Sequence, residues 1–129
     1  MPSFPLFILE RKVYITDCIK TVTDSKIQTN CKYIEEHLQE ELTHDHLIKQ
    51  LGIQRHVLVT IFPQWTGVTV TSYIIEMRLR TAVALVKSGT RIETAASQAG
   101  FRTYSHFYKM FVKHLGVSPR AYFTLERRE

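Results

Sequence analysis

From residue 25 onward the apolar positions of this chain recur at helical spacing rather than in strand-like alternation. Ser25 to Glu41 puts Cys31, Ile34 and Leu38 on an inward face and Glu35, Glu36, Glu40 and Glu41 outward. Thr43 suits the N-cap of a helix over His44 to Gln50, with Asp45 well placed for that helix's amino-terminal dipole. Gly52 turns the chain, and Arg55 to about Phe62 forms the next helix. Thr71 to Lys87 carries Ile75, Leu79, Ala82 and Val86 at spacings of 4, 3 and 4, flanked by Tyr73 and Met77, which predicts one long helix ended by Gly89. After the turn Ala99-Gly100-Phe101, residues Phe107, Met110, Phe111 and Leu115 share one helical face, leaving Tyr104, Ser105, Tyr108, Lys109 and Val112 on the other. A helix held to a small core by phenylalanines, with hydroxyls and a lysine outward, has the form that enters a major groove. The strand-like stretches, residues 4–9 and 13–15, predict a short hairpin or simply an unpacked leader.

The helical pattern occurs twice. At an offset of 48 before the turn and 49 after it, Gly52 matches Gly100, Leu58 matches Phe107, Phe62 matches Phe111, Gly67 matches Gly116, Val68 matches Val117 and Tyr73 matches Tyr122. Each copy is a short helix, a glycine turn and a second helix stopped at a glycine, the layout of a helix-turn-helix. The expected fold is all-α: two helix-turn-helix subdomains joined by a long linking helix, a homeodomain-like tandem behind a short leader. The boundaries read as residues 1–27 for the leader, 28–69 for the first subdomain, 70–88 for the linking helix, 89–124 for the second subdomain and 125–129 for a frayed tail.

Charge sharpens this picture. The net charge is +5, but residues 1–53 hold 6 Lys/Arg against 8 Asp/Glu, whereas residues 54–129 hold 11 against 4. The basic carboxy-terminal part is the one suited to a polyanion. At 129 residues the chain fits one compact domain or two small subdomains, without room for a large ligand-binding domain beside them. Cys18 and Cys31 have no disulfide-framework spacing, and residues 4–9 run into Glu10, Arg11 and Lys12, unlike a signal peptide. With no membrane-length apolar run, the expectation is a soluble, cytoplasmic protein.

Other chemistry reads more plainly as structure. His37, His44, His46 and His56, taken with Cys31 or Cys18, fit no compact metal-ligand spacing, and no cofactor is implied. The glutamates read as the wet side of a helix, Cys31 as core, and Trp65 as an anchor against the linking helix. There is no nucleophile beside a positioned base, no glycine-rich phosphate loop and no convergent carboxylates, so the chain does not read as an enzyme.

The second copy, with Ala96, Gly100-Phe101, Phe107, Phe111, Lys113-His114, Gly116-Val117-Ser118-Pro119 and Tyr122 in order and spacing, resembles the DNA-binding domain of the AraC/XylS family of bacterial transcription regulators. Tyr73-Ile74, Arg78-Leu79, Ala82 and Leu85 of the linking helix, and Leu42-Thr43 with Leu47, extend the likeness over about residues 28 to 124. The resemblance implies seven helices, with two recognition helices in successive major-groove segments roughly one turn, or ~34 Å, apart. Carried over by position, Tyr104, Ser105 and Lys109 face bases, and Arg102, Thr103 and Lys113 lie near phosphates. Lys109 stands where the family often has arginine, so it reaches guanine as a point donor rather than a rigid fork.

In the first recognition helix the matching positions are His56, Val59 and Thr60, with Arg55 at its start. Val59 offers apolar contact only, as to a thymine methyl. Pro63 within the helix predicts a kink or an end near Phe62, and Ile48 stands where the second copy has the smaller Ala96. The function implied is a sequence-specific double-stranded DNA-binding transcription regulator, an activator that works beside a promoter with RNA polymerase as partner. Base readout falls mainly to the second helix, and the first supplies backbone contacts through Arg55. The alternative, motivated by the degenerate first copy, is a protein-interaction module that has kept the fold and lost specific DNA recognition.

Overall fold

The computed structural model describes residues 25–128. Residues 1–24, which hold the predicted hairpin and Cys18, lie outside the described residues. Among these there are seven helices and no strand: α1 (Ser25–Glu36), α2 (His44–Leu51), α3 (a π-helical segment Val57–Ile61 followed by Phe62–Thr66), α4 (Val70–Lys87), α5 (Ile92–Gln98), α6 (Tyr104–Leu115) and α7 (Pro119–Arg128). They fall into two compact units that divide inside α4, between Met77 and Arg78.

The first unit has one apolar core, to which α1 gives Ile27, Cys31 and Ile34, α2 gives Leu47, α3 gives Val57, Leu58 and Phe62, and α4 gives Val70, Tyr73 and Ile74. The Phe62 and Tyr73 rings meet edge to face at 5.6 Å, and the Tyr73 hydroxyl donates to the Glu35 carboxylate. Burial pushes the Cys31 thiol up to about 12, so it stays protonated and acts as a small apolar side chain. Thr43 caps α2 as expected, its hydroxyl accepting from the His46 N–H at 3.1 Å.

The first helix is shorter than its apolar pattern suggests, stopping at Glu36 instead of running to Glu41. His37 explains the stop: its ring stacks on Tyr33 with centroids 3.9 Å apart, and its Nδ1 lies 2.8 Å from the Tyr33 carbonyl. A side chain that satisfies a terminal carbonyl substitutes for the next turn of helix. The chain then folds back so that the Tyr33 hydroxyl comes within 3.2 Å of His46 Nε2. Glu40 lies 3.8 Å from His37 and 3.7 Å from His46.

In the second unit Leu79, Ala82 and Val83 of α4, Ala95 and Ala96 of α5, Phe107, Phe111 and Leu115 of α6, and Tyr122 and Phe123 of α7 are buried. Phe111 repeats the arrangement of Phe62, meeting Tyr122 edge to face at 5.4 Å. Phe101, 4% exposed, pins the turn by packing edge-on against Phe107 at 5.3 Å. Gly67 and Gly116, which end α3 and α6, have φ of 82° and 80°, so the matched pair performs the same left-handed stop. Counted from the matched glycines, the turn is one residue longer in the second copy, because helix resumes three residues after Gly52, at Arg55, but four after Gly100, at Tyr104. This accounts for the change of offset from 48 to 49.

Pro63 does not end α3 at Phe62. The helix continues to Thr66, and the distortion is taken up ahead of the proline, where the Phe62 N–H donates to the carbonyl of Val57, five residues back. A regular turn would drive the proline ring into the Val59 carbonyl; the wider turn relieves that clash, and the missing proline N–H falls at the start of the resumed α-helix. The last turn aims Phe62 and Thr66 inward, and the Thr66 hydroxyl donates to the Phe62 carbonyl at 2.8 Å. Trp65 therefore falls on the flank, 46% exposed.

Replacing Pro63 with alanine should let Phe62 bond to Leu58 in a regular ladder. The helix-interior penalty of proline, ~3 kcal/mol, is offset by ~1 kcal/mol of extra unfolded-chain freedom, so urea denaturation of Pro63→Ala should show a gain of up to about 2 kcal/mol. A loss of stability would mean that core packing, not the proline, sets the wide turn.

Candidate nucleic-acid interface

Helix α6 begins where the Thr103 hydroxyl accepts from the His106 N–H at 3.1 Å, with Thr103 itself extended at φ −132° and ψ 149°. Lys113 and His114 lie in its last turn, where positive charge complements the carbonyl end of the helix. Phe107, Phe111 and Leu115 bury one face completely or nearly so. The opposite face has no covering within its unit. Ser105, Lys109 and Lys113, four residues apart along one line, are all exposed. Beside them runs a second line, Tyr104, Tyr108 and Val112, exposed by 39%, 45% and 37%.

Tyr104 leans on Phe107 with ring centroids 5.4 Å apart and neighbours Tyr108 at 6.4 Å. Partial burial, then the nearby Glu93 carboxylate, raises its hydroxyl above the usual phenol range, against the opposing charge of Arg120. It stays a neutral donor and acceptor at physiological pH. Arg102 is exposed in the turn before α6 and close enough to Arg78 for their charges to interact; burial first, and Arg102 second, lower Arg78 below the usual guanidinium value. The six expected residues of the second unit, Arg102, Thr103, Tyr104, Ser105, Lys109 and Lys113, are thus exposed along one helix and its entry turn. Thr103 has its hydroxyl committed to the helix start.

The first unit presents less. Arg55 is exposed but its guanidinium donates to Asp45 at 2.6 Å, with side chains 59% and 85% accessible. Pairs this exposed are weak, about 0–1 kcal/mol, so a stronger anion can displace the carboxylate. His56 is exposed and Thr60 only half-exposed. Val57 is buried whereas its counterpart His106 in the second copy is exposed. Val59 is 52% exposed.

Two exposed residues of α6, Tyr108 and Val112, were absent from the set inferred by position, though the helical spacing had put them on the outward face. Their helical spacing relative to Phe107, Phe111 and Leu115 was the available signal. Among the described residues, no group of three or more His, Cys, Asp or Glu is arranged to hold a metal ion, and no helix is long and apolar enough to cross a membrane.

The model of a helix-turn-helix domain family matches residues 47–124. The chain is 32% identical over 109 residues to the uncharacterized HTH-type transcriptional regulator YobQ of Bacillus subtilis, covering 81% of this chain and 44% of that protein. It is 30% identical over 97 residues to the melibiose operon regulatory protein of Escherichia coli, covering 74% and 32%. The chain spans less than half the length of these curated relatives. In structure it is similar to the DNA-binding domain of AdpA, described as the global transcriptional factor and crystallised with a target DNA; the TM-score is 0.72 at 25% identity, over 79% of this chain and 93% of that one.

Because the Thr103 hydroxyl satisfies an amide at the start of α6, Thr103→Ala should lower the unfolding free energy by ~1 kcal/mol, and Thr103→Ser should restore most of it. Chemical denaturation measures both. An unchanged alanine variant would remove the capping role and return the hydroxyl to the set available for a ligand.

Proposed function

Because the chain belongs to the AraC-type helix-turn-helix family, we propose that it binds double-stranded DNA in a sequence-specific way and regulates transcription, as an activator beside a promoter where RNA polymerase is recruited. In this reading residues 28–69 and 89–124 are the two helix-turn-helix subdomains and residues 70–88 the helix linking them. The observation that carries it is the outward face of α6, where Ser105, Lys109 and Lys113 are exposed directly opposite the buried Phe107, Phe111 and Leu115. A helix this well seated can enter a major groove without losing its own packing. Lys109 and Ser105, with Tyr104, meet base edges; Arg102 and Lys113 meet phosphates. The likeness to the DNA-binding domain of AdpA, crystallised with a target DNA, supports this assignment.

Base readout belongs mainly to the second copy. In the first, Thr60 is half-exposed and Arg55 is already paired with Asp45, which favours backbone contact by Arg55 and a secondary part for His56. The same features favour the alternative of an interaction module that no longer reads sequence. Selection from a random pool of duplexes separates the two, since the first yields a consensus and the second none.

On a selected duplex, Lys109→Ala should weaken binding by ~1–3 kcal/mol and relax preference at one base pair, whereas Lys113→Ala should weaken all sequences alike. Equal losses across all sites for both variants would contradict this division. With about 4 to 6 phosphates neutralised, log K should fall with log salt at a slope of about −4 to −5. Electrophoretic shifts at several salt concentrations give both quantities.

A further inference from the structure

The line of apolar side chains along the shoulder of α6 is left partly open to solvent. Tyr108 and Val112 are 45% and 37% exposed, on the shoulder of the helix between the buried Phe111 and Leu115 and the outward lysines. Neither fills the core. They lie one position round the helix from Lys109 and Lys113, so an apolar strip runs alongside a cationic one.

That pairing of lines narrows the ligand. A polyanion attracts the lysines, and within the major groove of duplex DNA only one group projecting from the base edges is apolar, the C5-methyl of thymine. Bases in a duplex are stacked and offer no faces to a tyrosine ring, so stacking is not the available contact. Resting on the DNA-binding reading above, we infer that Tyr108 and Val112 read thymine methyl groups, which makes the operator segment under α6 rich in thymine where these two side chains lie. The position that matches Tyr108 in the first copy is Val59, 52% exposed and again apolar, although the wide turn of α3 changes the helix around it.

The test uses the whole 129-residue chain and duplexes chosen by selection from a random pool. Thymines of the consensus are replaced one at a time by uracil, which deletes the methyl and keeps base pairing. At the positions contacted, affinity should fall roughly fourfold per methyl, the worth of one methyl-sized group taken from water. Val112→Thr, which exchanges a methyl for a hydroxyl at constant shape, and Tyr108→Ser should each bind the thymine duplex less tightly and lose the discrimination against uracil at one position. Thermal melts followed by circular dichroism check that these surface variants remain folded.

A consensus insensitive to uracil at every position overturns this inference and leaves the DNA-binding reading standing. Discrimination that persists unchanged in both variants assigns the methyl contact to other residues and likewise overturns it. Absence of any consensus overturns both readings together.

Discussion

Each unit depends on an edge-to-face contact between one phenylalanine and one tyrosine. Phe62 meets Tyr73 and Phe111 meets Tyr122, in each case joining the outward-presenting helix to the helix that follows it. Such a pair contributes ~0.5–1.5 kcal/mol beyond its area of burial and also fixes the rotation of the helix about its axis. Rotation is what matters functionally. Turning α6 by one residue would carry Lys109 toward the core and bring Phe107 or Phe111 toward water. The left-handed glycine after each helix, Gly67 or Gly116, completes the constraint by ending the helix at the same place in both copies.

Around these matched contacts the two copies differ in local structure and chemistry. The second has a threonine N-cap, a regular helix and two lysines on the outward face. The first accommodates Pro63 through a wide turn, has the buried Val57 where the second has the exposed His106, and its arginine is held by Asp45. Both changes lower the number of side chains that the first unit can extend toward a ligand. An asymmetric pair of this kind can still bind through both units, one contributing charge and the other discrimination.

The apolar spacing and the internal repeat made the helices and their stops legible, because a glycine stop and a buried aromatic leave their marks at single, fixed positions. Thr43 was readable as a cap for the same reason: the preference is local. The end of the first helix was not, since it is set by the stacking of His37 on Tyr33, and hydrophobic spacing continued smoothly past it. Nor was the Arg55–Asp45 pair, which joins residues ten positions apart across a turn. A disturbance near Phe62 was legible from Pro63, but not that the chain would meet it by widening the turn Val57–Ile61 and keeping the helix going. The exposure of Trp65 was not legible, because the inward positions of that turn are filled by Phe62 and Thr66. Candidate site residues were readable as a face of α6, but position-by-position transfer passed over the apolar members of that face.

The central claim is that the face of α6 opposite Phe107 and Phe111 meets duplex DNA. An amide-resolved NMR titration of the labelled chain with a selected duplex tests it directly. The account predicts that the largest shift changes in the second unit fall on residues 102 to 113, with the outward positions Ser105, Lys109, Val112 and Lys113 moving most and the amides of α7 little. Changes confined to α7 and α4, with those four positions unmoved, would contradict it.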